Sequence, residues 1–293
     1  MTAFEVRGPD RVDDLVALVR SVDGLGDVSA DELLLSCHER GGTVMAADGV
    51  GAVAVALGRS DSGELLASVR VLVVDPIVAR DTERDARDAL LVAAEEWAIE
   101  RSASRLVLGG GLPFALVPGA LHGSVDVDAA VARGFEVDDG WWSYLVPVTH
   151  RADPPAGVVV RRAVRDEDVA SVLLVASARW PRRSDEIARA LDHGTCHVAV
   201  EERDGADEVV GIATHSIARA GWTGPVVVVD DARRRGIGRA LFGQVCRDLM
   251  IAEFPHVVVG DATTPAARAF LESLGAEPDR RWVTCGRGLD QRA

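Results

Sequence analysis

The stretch VVVVDDARRRGIGRALF, residues 226–242, combines residue types and spacings that suit the binding of a phosphate group. Three consecutive arginines precede Gly236 and Gly238, and the apolar residues that follow recur at helical spacing. The first backbone N–H groups of a helix have no partner within it and lie at the positive end of its dipole. Glycines lack a Cβ atom and let a ligand oxygen approach, while guanidinium groups add charge-assisted hydrogen bonds. The stretch therefore predicts a pyrophosphate-binding loop at the start of a helix.

Two other phosphate-binding motifs fit this stretch poorly. A dinucleotide-binding Gly-x-Gly-x-x-Gly motif needs a third glycine where Leu241 stands. A nucleotide P-loop needs Gly-Lys-Ser/Thr, and all 32 basic residues of the chain are arginines. A surface turn with solvated arginines is the remaining structural alternative.

The elements around this loop occur twice in the 293 residues. Three segments of the first half recur in the same order in the second half: 6–19 in 160–174, 71–76 in 226–231, and 134–141 in 275–282. The pattern of each half predicts the same order of elements: a strand, two helices, a block of strands, a long helix, a strand, a short helix and a last strand. We therefore expect a duplicated chain with domains at 1–148 and 157–293, joined by a polar linker that contains proline.

The corresponding loop of the first half lacks the chemistry for phosphate binding. No glycine occurs between Gly63 and Gly109, and the loop carries Asp81, Glu83 and Asp85. Acidic side chains suit the start of a helix but repel phosphate. The first half is therefore predicted to bind no phosphate-bearing ligand.

Composition narrows the class of protein. A net charge of −14 argues against a nucleic-acid partner and is compatible with a cationic small molecule. No apolar run has the length of a membrane span, and the acidic N-terminal segment has no hydrophobic signal core, which predicts a cytoplasmic protein without a membrane partner. The four cysteines are scattered, as expected of reduced thiols. The segment HGTCH (193–197) is better explained as a turn entering a strand than as a metal site, so no metal is expected.

The segment RRRGIG (233–238) resembles the Arg/Gln-x-x-Gly-x-Gly/Ala signature of the GNAT superfamily of acyl-CoA-dependent N-acetyltransferases. The later segment TPAARAFLESLG is similar to that family in its order and spacing, and the resemblance covers the whole second half. Tandem chains of this size include the mycothiol synthase type, which the architecture resembles. The resemblance implies an α/β (α+β) fold of two tandem GNAT-like domains, each a mixed, mostly antiparallel sheet flanked by helices.

The resemblance also implies an acetyl-CoA site in the second half. The backbone of Val226, Val227 and Val228 would hold the pantetheine arm and the thioester. The pyrophosphate would lie on Arg233, Arg234, Arg235, Gly236, Ile237, Gly238 and Arg239. Thr264 and Ala267 would lie beside the pantetheine arm, with Thr264 where the family often has asparagine.

The catalytic groups of this family are missing from their usual positions. Leu271 stands where many members have a tyrosine acid, and the one tyrosine, Tyr144, belongs to the first half. The strand before the loop also lacks the glutamate that some members use as a base. The remaining candidates by type and place are His215, Asp230, Asp231 and Asp261. Each has a structural alternative, as a turn cap or a strand histidine, and a base acting through ordered water is a further option.

The sequence thus predicts transfer of an acetyl group from acetyl-CoA to the primary amine of a small metabolite or antibiotic-like acceptor. The alternative is a catalytically weak acyl-CoA-binding or sensor protein. A homodimer is left open. The lack of lysine fits a GC-rich genome or, less simply, a protein that avoids acylating itself.

Overall fold

The computed structural model describes residues 4–21, 25–47, 50–60, 63–111 and 113–289. Its helices are α1 (Val12–Val19), α2 (Ala30–His38), α3 (Arg80–Glu100), α4 (Val125–Ala132), α5 (Asp166–Arg179), α6 (Ser184–Asp192), α7 (Ile237–Ile251) and α8 (Pro265–Glu272). Its strands are β1 (Glu5–Arg7), β2 (Thr43–Ala47), β3 (Gly51–Arg59), β4 (Leu65–Val74), β5 (Arg105–Leu108), β6 (Ala120–Leu121), β7 (Glu136–Val137), β8 (Trp141–Pro147), β9 (Val158–Arg162), β10 (Cys196–Arg203), β11 (Ala206–His215), β12 (Thr223–Val228), β13 (His256–Val259), β14 (Glu277–Val283) and β15 (Cys285–Gly288). Over these ranges no helix has both the length and the apolar character to cross a membrane.

Two compact units divide the chain, and their limits differ from those of the duplicated halves. Unit 1 comprises residues 1–141 and 281–293, and unit 2 comprises residues 142–280. Strand β8 comes from the first half but pairs with β13 in unit 2, from Pro147 opposite His256 to Tyr144 opposite Val259. Strand β15 comes from the second half but pairs with β5 in unit 1. The two halves have therefore exchanged equivalent last strands.

Unit 1 is built on a seven-stranded sheet in the order β1-β2-β3-β4-β5-β15-β7. Its pairings are antiparallel except for β4 and β5, which run parallel from Leu66 to Val69. The long helix α3 packs on this sheet through an apolar stripe that includes Leu90, Leu91 and Trp97. A mixed, mostly antiparallel sheet flanked by helices was predicted for each half, and unit 1 has this architecture.

Unit 2 contains the antiparallel sheet β12-β11-β10-β9, against which α7 packs. Four apolar residues recur along one face of α7 and are all buried: Leu241, Phe242, Val245 and Leu249. Gly211 on β11 lets the helix come close, because a Cβ atom there would lie 2.9 Å from the Cδ1 of Leu241. The mixed α/β fold class expected from the sequence is confirmed.

Candidate functional site

A cleft opens in unit 2 where β12 and β13 separate. The two strands meet at one end, where Trp222 forms a parallel bridge with Val258 and the Val258 N–H donates to the carbonyl oxygen of Gly221 at 3.0 Å. Towards Val228 the described structure contains no further pairing between them, and β12 is the edge strand of its sheet. The resulting cleft has a volume of about 840 Å³ and is lined by residues of β12, α7, β13 and α8.

The edge of β12 presents backbone hydrogen-bonding groups to this cleft. Val229 donates its N–H to the carbonyl oxygen of Val210 at 3.0 Å, so Val229 and Val227 direct their backbone groups towards β11. Since successive residues of a strand point their backbone groups to opposite sides, those of Val226 and Val228 point away from β11. The carbonyl of Val228 accepts a hydrogen bond from Arg233 Nε at 3.1 Å on that side. The edge can therefore add β-type hydrogen bonds to an extended ligand that carries amides.

The mouth of α7 supplies unpaired N–H groups at the other side of the cleft. Gly236 precedes the helix with φ +90°, a left-handed conformation that glycine adopts without strain. The first helical hydrogen bond runs from the Ala240 N–H to the Gly236 carbonyl at 3.1 Å. The N–H groups of residues 237–239 therefore have no partner within the helix, and they lie at the positive end of its dipole. This is the geometry in which proteins bind phosphate.

Arg235 is bound to a carboxylate within the protein. Both terminal nitrogens of Arg235 donate to Glu201 on β10, one of them at 3.1 Å. The hydrogen bonds from Arg235 and Arg203 hold the pKa of Glu201 at about 2. Arg235 is not among the residues that line the cleft. The ion pair with Glu201 holds Arg235 against β10. Direct contact with a ligand is therefore expected from the other arginines of the loop.

The other two arginines of the loop do line the cleft. Arg233 pairs with Asp230 at 2.9 Å. Arg234 has φ +61° and no ion-pair partner among the residues that the structure describes. A left-handed conformation at an arginine costs about 1 kcal/mol or more, and it directs Arg234 differently from its neighbours. Arg239 also lines the cleft, and we expect Arg234 and Arg239 to meet a ligand phosphate.

Helix α8 forms the opposite wall of the cleft. Thr264 caps this helix, since its Oγ1 accepts a hydrogen bond from the Ala267 N–H at 3.1 Å. Both residues line the cleft, as do Phe270 and Leu271. Phe270 meets Phe242 of α7 edge-on, with ring centroids 6.2 Å apart. Phe270 and Leu271 make part of this wall apolar.

Three of the four predicted catalytic candidates, His215, Asp230 and Asp231, lie outside the cleft lining. Asp230 and Asp231 occupy an exposed turn after β12, where Asp231 accepts a hydrogen bond from Arg203 at 2.7 Å. His215 lies buried on β11, and its Nε2 is 3.2 Å from Asp248 Oδ2. Tyr144, expected in the other half, lies in unit 2 because of the strand exchange and is buried. The structure brings the ligand-binding candidates together but not these groups.

Three polar or aromatic residues extend the cleft beyond the predicted site: Trp180, Arg183 and Asp261. Arg183 forms ion pairs with Asp261 and with Glu186, the latter at 3.3 Å. Asp261 was a candidate from its place after a strand, but no spacing in the sequence indicates Trp180 or Arg183. Trp180 precedes a short 3-10 turn before α6 and Arg183 is its last residue, and the position of this turn depends on tertiary packing.

In unit 1 the corresponding space is filled by the protein itself. Past the end of β5, the Gly110 carbonyl accepts a hydrogen bond from Ser68 Oγ of β4 at 2.8 Å. The buried guanidinium of Arg70 donates to the carbonyls of Gly110 and Pro113, at 2.8 and 2.9 Å. The helix mouth also differs, since α3 begins after Ala79 rather than after a glycine. That the first half binds no phosphate-bearing ligand stays a prediction from the sequence.

Replacing Arg70 is expected to destabilise unit 1. The substitution Arg70→Met leaves partly buried carbonyls without donors, at a cost of about 2–4 kcal/mol in the free energy of unfolding. Urea denaturation measures the change. Arg59→Met is the control, because Arg59 donates to the Gly63 carbonyl at an exposed site. Equal effects of the two substitutions would contradict the role given to Arg70.

The match to a known protein family lies in the second half of the chain. Residues 157–276 match the acetyltransferase (GNAT) family. No curated protein sequence matches the chain. The family match runs from β9 to α8, and so includes the whole cleft.

Solved structures with the same fold cover nearly the whole chain. A tandem GNAT protein from the clavulanic acid biosynthesis pathway has a TM-score of 0.69 and 19% identity over 100% of both chains. A GCN5-related N-acetyltransferase from Sphaerobacter thermophilus has a TM-score of 0.66 and 18% identity, over 98% of this chain and 96% of that one. The third is the GCN5-related glucosamine N-acetyltransferase region of a fungal multi-domain GH3 β-N-acetylglucosaminidase, with a TM-score of 0.72 and 16% identity. The chain spans 38% of the length of that fungal protein.

The cleft, the loop and these similarities all point to the GNAT fold. At identities below 20% the solved structures show the fold alone, and this fold is shared by the whole chain. The GNAT fold supports acyltransferase activity that uses an acyl-CoA as donor. Residues 157–276 have the sequence pattern of the acetyltransferase (GNAT) family, and the whole chain has the fold of a tandem GNAT protein.

Proposed function

We propose that the protein transfers an acetyl group from acetyl-CoA to the primary amine of a small metabolite or antibiotic-like acceptor. One observation carries the proposal: the open edge of β12 and the mouth of α7 face the same cleft. The two features are complementary to the two ends of coenzyme A, which carries amides along its pantetheine arm and a pyrophosphate beyond it.

Each group of the cleft has an assigned part in this proposal. The backbone of Val226 and Val228 binds the pantetheine amides and the thioester carbonyl, and the N–H groups of residues 237–239 bind the pyrophosphate. Arg234 adds a charge-assisted bond to phosphate. Acetyl-CoA supplies the activated acyl group. Phe242 and Phe270 exclude water, which strengthens the polar contacts inside the cleft.

The acceptor is proposed to bind beside Asp261. This residue is the one carboxylate among the described residues that line the cleft, so it is the group that attracts an ammonium ion there. A cationic acceptor would compete with Arg183 for Asp261. The net charge of −14 favours the approach of such an acceptor. We assign removal of the amine proton to water held at Asp261, since His215, Asp230 and Asp231 lie outside the lining.

A second candidate function is an acyl-CoA-binding sensor. A specific observation favours it: the described cleft lining contains no tyrosine, histidine or glutamate, and Leu271 takes the place of the family's tyrosine. Without an acid for the leaving thiolate, turnover would be slow.

Release of the CoA thiol from acetyl-CoA, measured across a panel of amines, tests the proposal. Monoamines and polyamines are compared with their N-acetylated forms and with amino acids. Release above background with a free amine, and none with its acetylated form, supports the transferase. Tight binding of acetyl-CoA with no acceleration by any amine would establish the sensor. Cytoplasmic location stays a prediction from the sequence, as does the choice between a monomer and a homodimer.

The protein's own thiols are not expected to disturb this assay. Burial raises the pKa of Cys37, Cys196 and Cys246 to about 12 and that of Cys285 to about 11, and all four side chains are buried and free. Since the thiolate is the reactive form, a disulfide reagent at pH 8 should find less than one fast-reacting thiol per native chain. In urea it should find four. A rapid native reaction would contradict the burial of these residues.

A further inference from the structure

A second polar cluster lies in unit 2, outside the acyl-CoA cleft, where α7 crosses the sheet. It consists of His197 on β10, His215 on β11 and Asp248 on α7. The two imidazoles are almost fully buried, with 3% and 5% of each residue exposed. The Nε2 atoms of both histidines point to one oxygen of Asp248, at 2.9 Å from His197 and 3.2 Å from His215. We propose that this cluster binds a divalent transition-metal ion, with Zn²⁺ as the best match.

The spacing of the three ligand atoms fits a tetrahedral metal. Zinc takes imidazole nitrogen and carboxylate oxygen at about 2.0–2.2 Å, which puts neighbouring ligand atoms roughly 3.3–3.5 Å apart. The two N···O distances are within about half an ångström of this value, and all three atoms lie within 4.8 Å of one another. Small side-chain movements would admit the ion. Two imidazoles and one carboxylate favour Zn²⁺ and its neighbours over Mg²⁺ or Ca²⁺, which prefer oxygen ligands alone.

The surroundings orient one of the histidines for this task. His215 Nδ1 lies 3.2 Å from Ser216 Oγ, and that oxygen also accepts the Gly221 N–H at 3.2 Å. Because this N–H occupies a lone pair of the hydroxyl, the hydroxyl can still accept the His215 Nδ1–H through the other. That tautomer leaves Nε2 with the free electron pair that a metal needs. A hydrogen bond to the second ring nitrogen is the usual support of a metal-binding histidine.

Arg162 covers the outer side of the cluster. Its Nη2 donates to the same Asp248 oxygen at 2.6 Å, and its side chain is 43% exposed. In the absence of a metal, this guanidinium pairs with the Asp248 carboxylate, and its positive charge repels an incoming cation. It also donates to the carbonyl of Gly194, so it has a second partner when it leaves Asp248. The position that Arg162 vacates can take water as the fourth ligand.

The proposed metal is structural. It would tie β10 and β11 to α7, and Asp248 lies about 16 Å along that helix from the mouth at Ile237. It takes no part in acyl transfer. The proposal does not depend on the proposed function, because stability and metal content report on it without any turnover.

The test uses the full chain after treatment with EDTA. Titration with zinc sulfate is followed by calorimetry, metal content is measured after dialysis, and Co²⁺ serves as a visible-absorption probe of tetrahedral binding. We expect one Zn²⁺ per chain, a rise in the melting temperature, and a loss of affinity of about 100-fold or more in His215→Gln and Asp248→Asn. His193→Gln is the control, since this residue lies in the HGTCH segment but outside the cluster.

The variant Arg162→Gln keeps the test decisive if the ligand variants fold poorly. Removal of the competing guanidinium should strengthen zinc binding by about tenfold or more, corresponding to a single unfavourable charge near the site. The proposal is overturned if the wild-type chain binds no zinc, if His193→Gln rather than His215→Gln removes the binding, or if Arg162→Gln leaves the affinity unchanged.

Discussion

Gly238→Asp is expected to lower the affinity for acetyl-CoA by at least about 100-fold. Residue 238 lies in the first turn of α7, where its N–H has no partner within the helix. A carboxylate there takes up the positive end of the dipole and repels the pyrophosphate. A 100-fold loss corresponds to about 2.7 kcal/mol of binding free energy. Calorimetric titration with acetyl-CoA measures the effect.

The fold should survive this substitution, which makes the result interpretable. A Cβ atom at residue 238 would lie 3.7 Å from Phe270 and 3.8 Å from Val228, both ordinary contacts. Gly238→Ala is the matched control and should bind within a few-fold of the wild type. Gly236→Ala should cost about 1 kcal/mol of stability or more, because of φ +90°. If Gly238→Asp bound one acetyl-CoA at wild-type affinity, this would contradict both the proposed site and the prediction that the first half binds no acetyl-CoA.

Phe242→Ala is expected to destabilise unit 2 by about 3–5 kcal/mol. The ring is 1% exposed, packs edge-on against Phe270, and belongs to both the core and the cleft lining. Its removal opens a cavity between α7 and α8, and the partner ring loses its contact. The shift of the urea unfolding midpoint, followed by circular dichroism, gives the change in the free energy of unfolding.

The control for this prediction lies on the same helix. Ile251 is 69% exposed at the end of α7, and Ile251→Ala should change stability by about 0.5 kcal/mol or less. Acetyl-CoA should also bind more weakly to Phe242→Ala than to Ile251→Ala, because the cleft loses part of its floor. Similar midpoints for the two variants would show that Phe242 is not part of a well-packed core.

Much of the fold is predictable because its signals are local. The apolar residues of α7 recur at helical spacing, and the structure buries them against the sheet. Thr264 before Pro265 is a helix-start signal, and α8 begins there. The predicted phosphate-binding loop is also local, since its glycines and arginines lie within seven consecutive residues, 233–239. Such features depend on backbone geometry over a few residues, which the sequence carries directly.

The candidate catalytic groups could not be placed in this way. His215 has the right type for a base, but its position against Asp248 depends on how α7 crosses β11. Arg235 looks like a phosphate ligand in the sequence, yet Glu201 from a strand 34 residues away binds it. No spacing in the chain records either contact. Titratable groups take their roles from neighbours that are distant in sequence.

By itself, the sequence determined the α/β class, and it predicted the duplication and a single phosphate-binding loop, because periodicity and loop chemistry are properties of short segments. The tertiary structure alone decided where the units end. The sequences of strands β8 and β15 do not indicate which sheet each strand joins. In the structure, each pairs in the unit built mainly from the other half. It also brought His197, His215 and Asp248 within 4.8 Å of one another. Strand partners and buried polar clusters are set by packing between distant segments, so they become visible only when the chain is folded.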